Sequence, residues 1–278
     1  MVKAGMPSPQ PIAADIPTSA PTSRNPSLLA WRDLVANLVS KEIKVRYMGT
    51  ALGFLWSLGN PLLVTLTYFI VFTFIFPSRQ DRFVLHLATG MLHWTLFSQI
   101  VLMGCEWFTA NSSLLKKIWF PRMIVPVSGI LGILAFWMAA LLVYALLYWP
   151  LGGHVSPALL AYPLVLVSYV AFAFGLGMVA CVIHALFRDL RHLLEVALPL
   201  LFWATPIIWA PASLPAGVQP VMALNPLYPF FIAFSDMLHD GAWPDPLDLL
   251  RCVLTGMVML AVGLIVFRRN ADRAVERI

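Results

Sequence analysis

A chain of 278 residues that is 60% hydrophobic and 11% charged, with a mean hydropathy of +0.83, carries more apolar surface than a soluble fold can bury. Its net charge of +5 does not mark a nucleic-acid binder, because the cations flank apolar stretches and do not share one solvated face. These figures exclude a soluble domain and nucleic acid as a partner, and they define an integral membrane protein.

Fifteen of the eighteen Lys and Arg residues fall into four clusters, at 3–46, 116–122, 188–191 and 268–277. Only Arg79, Arg82 and Arg251 lie elsewhere. Basic residues beside membrane spans mark the cytoplasmic side. The spacing therefore predicts an all-α integral membrane fold of six transmembrane helices with both termini cytoplasmic.

Residues 1–26 are rich in Pro, Ser, Thr and Ala, a composition that cannot form a packed core and predicts a disordered cytoplasmic tail. No apolar stretch follows Lys3, so the tail is not a signal peptide. Residues 27–278 form one transmembrane domain. It opens with an interfacial helix at 27–47, where Trp31, Leu34, Val35, Leu38 and Val39 make one apolar stripe. Arg32, Asp33, Asn37, Ser40, Lys41 and Lys44 take the other faces, which favours a helix lying along the membrane surface over a simple start of the first span.

The first span is expected over about 51–76. At 1.5 Å per residue it exceeds a hydrocarbon core of ~30 Å, so it must tilt or kink, and Asn60-Pro61 is a suitable kink. A short outer loop holds Arg79, Asp81 and Arg82. The second span, about 83–108, returns inside to the stretch 111–122, NSSLLKKIWFPR. A third span follows at about 123–149, then an outer turn at 151–154. The fourth covers about 158–187 and the fifth about 193–209. Six prolines between 206 and 229 then interrupt sequence that is still mostly apolar, and 227–238 is too short to cross. This pattern predicts a re-entrant segment on the outer side, with an ordinary loop as the alternative. The sixth span, about 249–267, ends at Arg268-Arg269.

Chemistry-bearing motifs are sparse. No G-x-x-x-x-G-K-[ST] occurs, so the chain carries no ATPase site of its own. Gly175-Leu176-Gly177-Met178-Val179-Ala180 matches G-x-G-x-x-A inside a span, where close helix packing is the better reading, as it is for Gly49 and Gly53. Cys105, Cys181 and Cys252 are read as small buried hydrophobes. His86, His93, His184 and His192 are scattered and share no metal-ligand spacing, so no metal site and no catalytic residue is assigned. Glu106 and Glu195, near cytoplasmic span ends, are too few for a proton relay and are read as structural. Asp236, Asp240, Asp245 and Asp248 look like a solvated outer rim.

The run Leu114-Leu115-Lys116-Lys117-Ile118-Trp119-Phe120-Pro121-Arg122, with Pro126, resembles the loop after the second span in permease subunits of polysaccharide-exporting ABC transporters. Further matches are Lys44-Val45-Arg46-Tyr47 with Leu52-Gly53, Trp56 and Pro61; Gly90 with Trp94; Phe187-Arg188-Asp189-Leu190-Arg191-His192; Pro206-Ile207-Ile208; and Leu224-Asn225-Pro226-Leu227. The resemblance covers about residues 28–270 and is nearest to O-antigen and teichoic-acid exporters, with capsule exporters next. It implies a homodimer in the bacterial cytoplasmic membrane, bound to two copies of a separate ATP-binding subunit that carries the ATP and Mg. No cofactor is bound by this chain itself. The cargo implied is a lipid-linked polysaccharide.

The resemblance also implies roles for particular segments. A coupling helix for the ATPase falls at about 111–120, with Asn111, Leu114, Lys116, Lys117, Trp119, Phe120 and Arg122 as its candidate residues, and re-entrant gate helices fall at about 211–238. Lys44 and Arg46 offer charge-assisted donors to a lipid pyrophosphate, with Tyr47 beside them. Aromatic faces bind sugars without directional bonds, which makes Tyr68, Phe69, Phe72, Phe202, Trp203 and Trp209 candidates for the substrate path. An ABC permease for a drug or lipid, and an integral membrane transferase acting on lipid-linked sugars, are the competing readings.

Overall fold

The computed structural model describes residues 28–47, scattered positions between 59 and 74, and then 82–117, 120–209, 211, 214, 215 and 217–278. The tail, the first span with its Asn60-Pro61 kink, Gly49, Gly53, Arg79, Asp81, Tyr68, Phe69, Phe72 and Trp119 lie outside the described residues. So do the side chains of Arg46 and Tyr47. Among the described residues every regular element is helical.

Among the described residues nine α-helices follow one another: α1 Leu28–Tyr47, α2 Phe83–Glu106, α3 Ser112–Lys117, α4 Ile124–Tyr148, α5 Tyr162–Leu186, α6 Leu190–Trp203, α7 Gln219–Met222, α8 Tyr228–Ser235 and α9 Pro246–Glu276. Short 3₁₀ turns precede α3 (Thr109–Asn111) and α5 (Pro157–Ala161), and a π-turn, Asp236–Asp240, follows α8. Among the described residues four segments are long and apolar enough to cross a membrane: Phe83–Glu106, Ile124–Tyr148, Pro157–Leu186 and Pro246–Glu276. They correspond to the expected second, third, fourth and sixth spans within a few residues, except that α9 runs on well past Phe267.

The fifth span differs from its expected range of 193–209. Its helix begins at Leu190 and stops at Trp203, so its 14 residues rise about 21 Å, short of a ~30 Å core. The reason is local. Pro199 already removes one backbone donor within the helix, and Pro206 disfavours helical geometry at Thr205 just beyond it.

Helices α2, α5 and α9 form the packed centre. Lipid supplies no hydrophobic drive between helices, so close approach of backbones must hold them together. Glycine makes that approach. A Cβ on Gly175 would strike the Met259 carbonyl of α9, and one on Gly256 would strike Ser168 of α5. Gly177, two residues from Gly175, faces α2 instead, where a Cβ on Gly104 would lie 2.8 Å from the Gly177 Cα. The glycine pair read from sequence as a packing device therefore serves two different neighbours. Cys105, Cys181 and Cys252 are buried free thiols in the same centre.

A polar seam runs through one half of this core. The Thr89 carbonyl lies 2.7 Å from His93 Nδ1, and since a carbonyl can only accept, Nδ1 carries the proton. In the neutral ring, Nε2 then accepts from the Tyr162 hydroxyl at 3.1 Å. Tyr169 donates to the His93 carbonyl at 2.8 Å, Trp137 donates to the Leu92 carbonyl at 3.0 Å, and Thr89 meets the Tyr144 hydroxyl at 2.6 Å. The His93 ring stacks on Phe234 of α8 with centroids 3.7 Å apart. Groups that would be costly alone in an apolar core thus satisfy one another and tie α2, α4, α5 and α8 together.

Candidate functional site

The basic stretch after the second span folds as a short platform. The chain leaves α2 at Glu106, makes the 3₁₀ turn Thr109–Asn111, and then forms α3. Leu115 and Phe120 are buried and fix the platform to the bundle, while Lys116 and Lys117 are exposed. That split follows from the sequence, since two apolar anchors flank a cationic turn. The described helix is Ser112–Lys117, inside the expected 111–120, and Ile118 and Trp119 lie outside the described residues. Phe120 packs into the protein.

Three polar ties hold the platform. Asn111 is buried, donates from Nδ2 to the Trp107 carbonyl at 3.0 Å, and accepts from Lys41 Nζ of α1 at 2.9 Å. Arg122 Nε donates to Asp272 Oδ1 of α9 at 2.7 Å. Glu106 pairs with Arg191 at the start of α6, and the same guanidinium reaches Glu195 Oε1 at 3.0 Å. Both glutamates read as structural from sequence therefore share one arginine. Phe108 adds an apolar tie to Phe267 of α9, with ring centroids 5.3 Å apart.

The interfacial helix α1 completes this face. Leu38 is buried, Trp31, Leu34, Val35 and Val39 are half-buried, and Arg32, Asp33, Asn37, Lys41 and Lys44 are exposed, so the amphipathic stripe is realised. It docks on α4, where Glu42 leans over Gly132. A cavity of about 50 Å³ lies between them, lined by Glu42, Glu106, Trp107 and Gly129 among others.

On the opposite side, the described residues of the proline-rich stretch between α6 and α7 form turns and bends, and the chain is helical again in α7 and α8. Asn225 organises it. Its Nδ2 donates to the Ala204 carbonyl at 3.0 Å and to Thr205 Oγ1 at 2.9 Å, and its Oδ1 accepts from the Leu227 amide at 3.0 Å. Irregular backbone at membrane depth needs such internal partners. The sequence signal was available, because an Asn before Pro is a turn-former whose amide can serve the backbone two residues on. Beyond α8, Tyr148 shares its hydroxyl proton between the His154 and Leu238 carbonyls, each at 3.0 Å. His86 Nδ1 lies 3.2 Å from Ser235 Oγ.

The outer aspartates take distinct roles. Asp245 caps α9 by accepting from the Leu247 amide at 2.7 Å, Asp248 pairs with Arg251, and Asp240 pairs with His239. Asp236 is half-buried, and burial, reinforced by Asp240, Asp248 and Asp245, raises its carboxyl to about 6. Among the aromatic candidates, Phe202 packs on Trp94 with centroids 5.3 Å apart, Trp203 is exposed, and Trp209 donates its indole N–H to the Trp203 carbonyl at 3.0 Å. Among the described residues no group of three or more His, Cys, Asp or Glu is placed to hold a metal ion.

Long apolar helices joined by glycine contacts, a cationic platform on one face and a proline-rich stretch on the other define a multi-pass helical membrane protein. The chain belongs to the ABC-2 type transporter family, which it matches over residues 34–238. It is 27% identical over 248 residues to an O-antigen export system permease protein of Klebsiella pneumoniae, covering 88% of this chain and 94% of that one. A permease of the same description from Myxococcus xanthus is 27% identical over 90% of this chain and 97% of its own. The polysialic acid transport protein of Escherichia coli is 21% identical over 86% and 93%.

Proposed function

We propose that this chain is the permease subunit of an ABC exporter that moves a lipid-linked, O-antigen-like polysaccharide across the bacterial cytoplasmic membrane, powered by a separate ATP-binding subunit. The observation that carries the reading is end-to-end similarity to permeases of that description, which extends over nine-tenths or more of their length. The cytoplasmic platform agrees with it. A small helix with Lys116 and Lys117 exposed and its base buried suits docking into a cleft of an ATPase.

In this reading two copies of the chain pair, each with six spans that include 51–76 and the short α6, and each carries one ATP-binding subunit. Both termini are cytoplasmic, where the four basic clusters lie. ATP and Mg bind the partner, and this chain contributes no catalytic group. Closure of the ATPase pair displaces α3 together with Asn111, Leu114, Trp119, Phe120 and Arg122, and shifts the two permease halves as rigid bodies. Lys44, Arg46 and Tyr47 receive the lipid headgroup at the inner face, and α7 and α8 gate the outer one. The path between them is walled by Tyr68, Phe69, Phe72, Phe202, Trp203 and Trp209.

Purification of the tagged chain from its host in mild detergent tests this. A co-purifying ATP-binding subunit in one-to-one ratio is expected, and Lys116→Glu with Lys117→Glu should remove it while the permease still inserts. No ATPase under several gentle conditions would overturn the reading in favour of a membrane transferase.

A further inference from the structure

Helix α6 is attached to the bundle in an unusual way. Along its 14 residues only Leu198 and Phe202 are buried, whereas Leu193, Val196, Leu200 and Trp203 are exposed. Leu194 and Leu201 are partly buried against the core, so among the described residues four side chains of α6 seat it on the bundle. At its cytoplasmic start, however, Arg191 pairs with Glu106, the last residue of α2 and the one from which the platform departs. Glu195, one turn along α6, holds the same guanidinium through Nε at 3.0 Å. That contact presets the arginine toward Glu106, because a guanidinium engaged on one edge has fewer conformations to lose when its other edge binds.

The other polar ties differ. Lys41–Asn111 joins the platform to the surface helix α1, and Arg122–Asp272 joins it to the cytoplasmic extension of α9, with Asp272 81% exposed. Glu106 and Arg191 are 36% and 34% exposed and so are better shielded. We propose that the Glu106–Arg191 pair carries displacement of the coupling platform into α6, and that Arg191 is therefore a positioning residue for transport. The proposal rests on the exporter reading above. The buried Asn111, Leu115 and Phe120 make the platform move as one body, the ion pair pulls the foot of α6, and the lightly packed helix follows.

The test uses a host strain lacking this chain, complemented with wild-type or variant copies, together with the purified permease–ATPase complex. Arg191→Gln and Glu106→Gln should each lower surface polysaccharide about five- to ten-fold, and the double variant should be no worse than either, as for two residues acting through one contact. Membrane level, ATPase co-purification and ATP hydrolysis should stay within about two-fold, which separates lost transmission from lost folding. Arg188→Gln, a neighbour in the same basic cluster, should export normally. Multiplying losses in the double variant, hydrolysis falling in step with export, wild-type export by both single variants, or an equal defect in Arg188→Gln would each overturn the inference. A wild-type copy that restores no polysaccharide would overturn the exporter reading instead.

Discussion

Single side chains carry unusual weight here because irregular backbone near the membrane has few other partners. Asn225 serves two acceptors and one donor across a gap of some twenty residues. Asn225→Ala should strand those groups at a cost of about 2 kcal/mol, read as a lower melting temperature of the detergent-solubilised protein. Asn225→Asp, which keeps the acceptor for the Leu227 amide and loses the Nδ2 donor, should fall between. Asp236 gives a pH effect of definite sign. Its folded carboxyl titrates near 6 against an ordinary 3.8, so the folded state favours the neutral form. Its contribution is most favourable below pH 4 and is lost as pH rises through 6. The protein should therefore be more stable against heat at pH 5 than at pH 7 as far as this group is concerned. Asp236→Asn should reduce that difference, with Asp240, Asp245 and Asp248 left to titrate. An unchanged difference would exclude the assignment.

At the scale of elements, the α5–α9 contact is where backbone closeness decides stability. Gly175→Val and Gly256→Val place a branched side chain where even a Cβ meets carbonyl oxygen, so the helices must part. Both should give aggregated or poorly inserted protein by size-exclusion chromatography. Gly217→Ala, whose added Cβ meets nothing within 4 Å, should elute as wild type. The helix type and most of the long elements were legible in the sequence, because uninterrupted apolar runs bounded by Arg and Lys leave no other membrane-compatible structure. The extent of α6 was not. Apolar composition continues to Trp209, and hydropathy does not register that Pro206 has already ended the helix.

For the molecule as a whole, topology can be read with thiol chemistry because all three native cysteines have 0% exposure. A membrane-impermeant maleimide should label Trp243→Cys in intact cells and leave Lys117→Cys unlabelled until the membrane is opened, with little background from the wild type. Labelling of both in intact cells would contradict the positive-inside assignment. The platform, α1 and the cytoplasmic end of α9 converge on one face, and α8 with the turn at His154 converges on the other. That convergence supports the proposed inner coupling surface and outer gate.

Sequence alone determined the membrane class, the amphipathic stripe of α1 and the cationic turn after the second span. Each is a property of local composition and period, fixed by what lipid and water will accept along a single segment. Tertiary structure alone decided that Glu106 and Glu195 share Arg191, that Asn225 ties the two ends of the proline-rich stretch, and that Gly175 and Gly177 serve different helices. Apart from the one-turn Arg191–Glu195 contact, those are pairings between residues tens of positions apart. Which distant partner a buried polar group or a bare glycine meets depends on how whole helices pack, and periodicity carries no record of that.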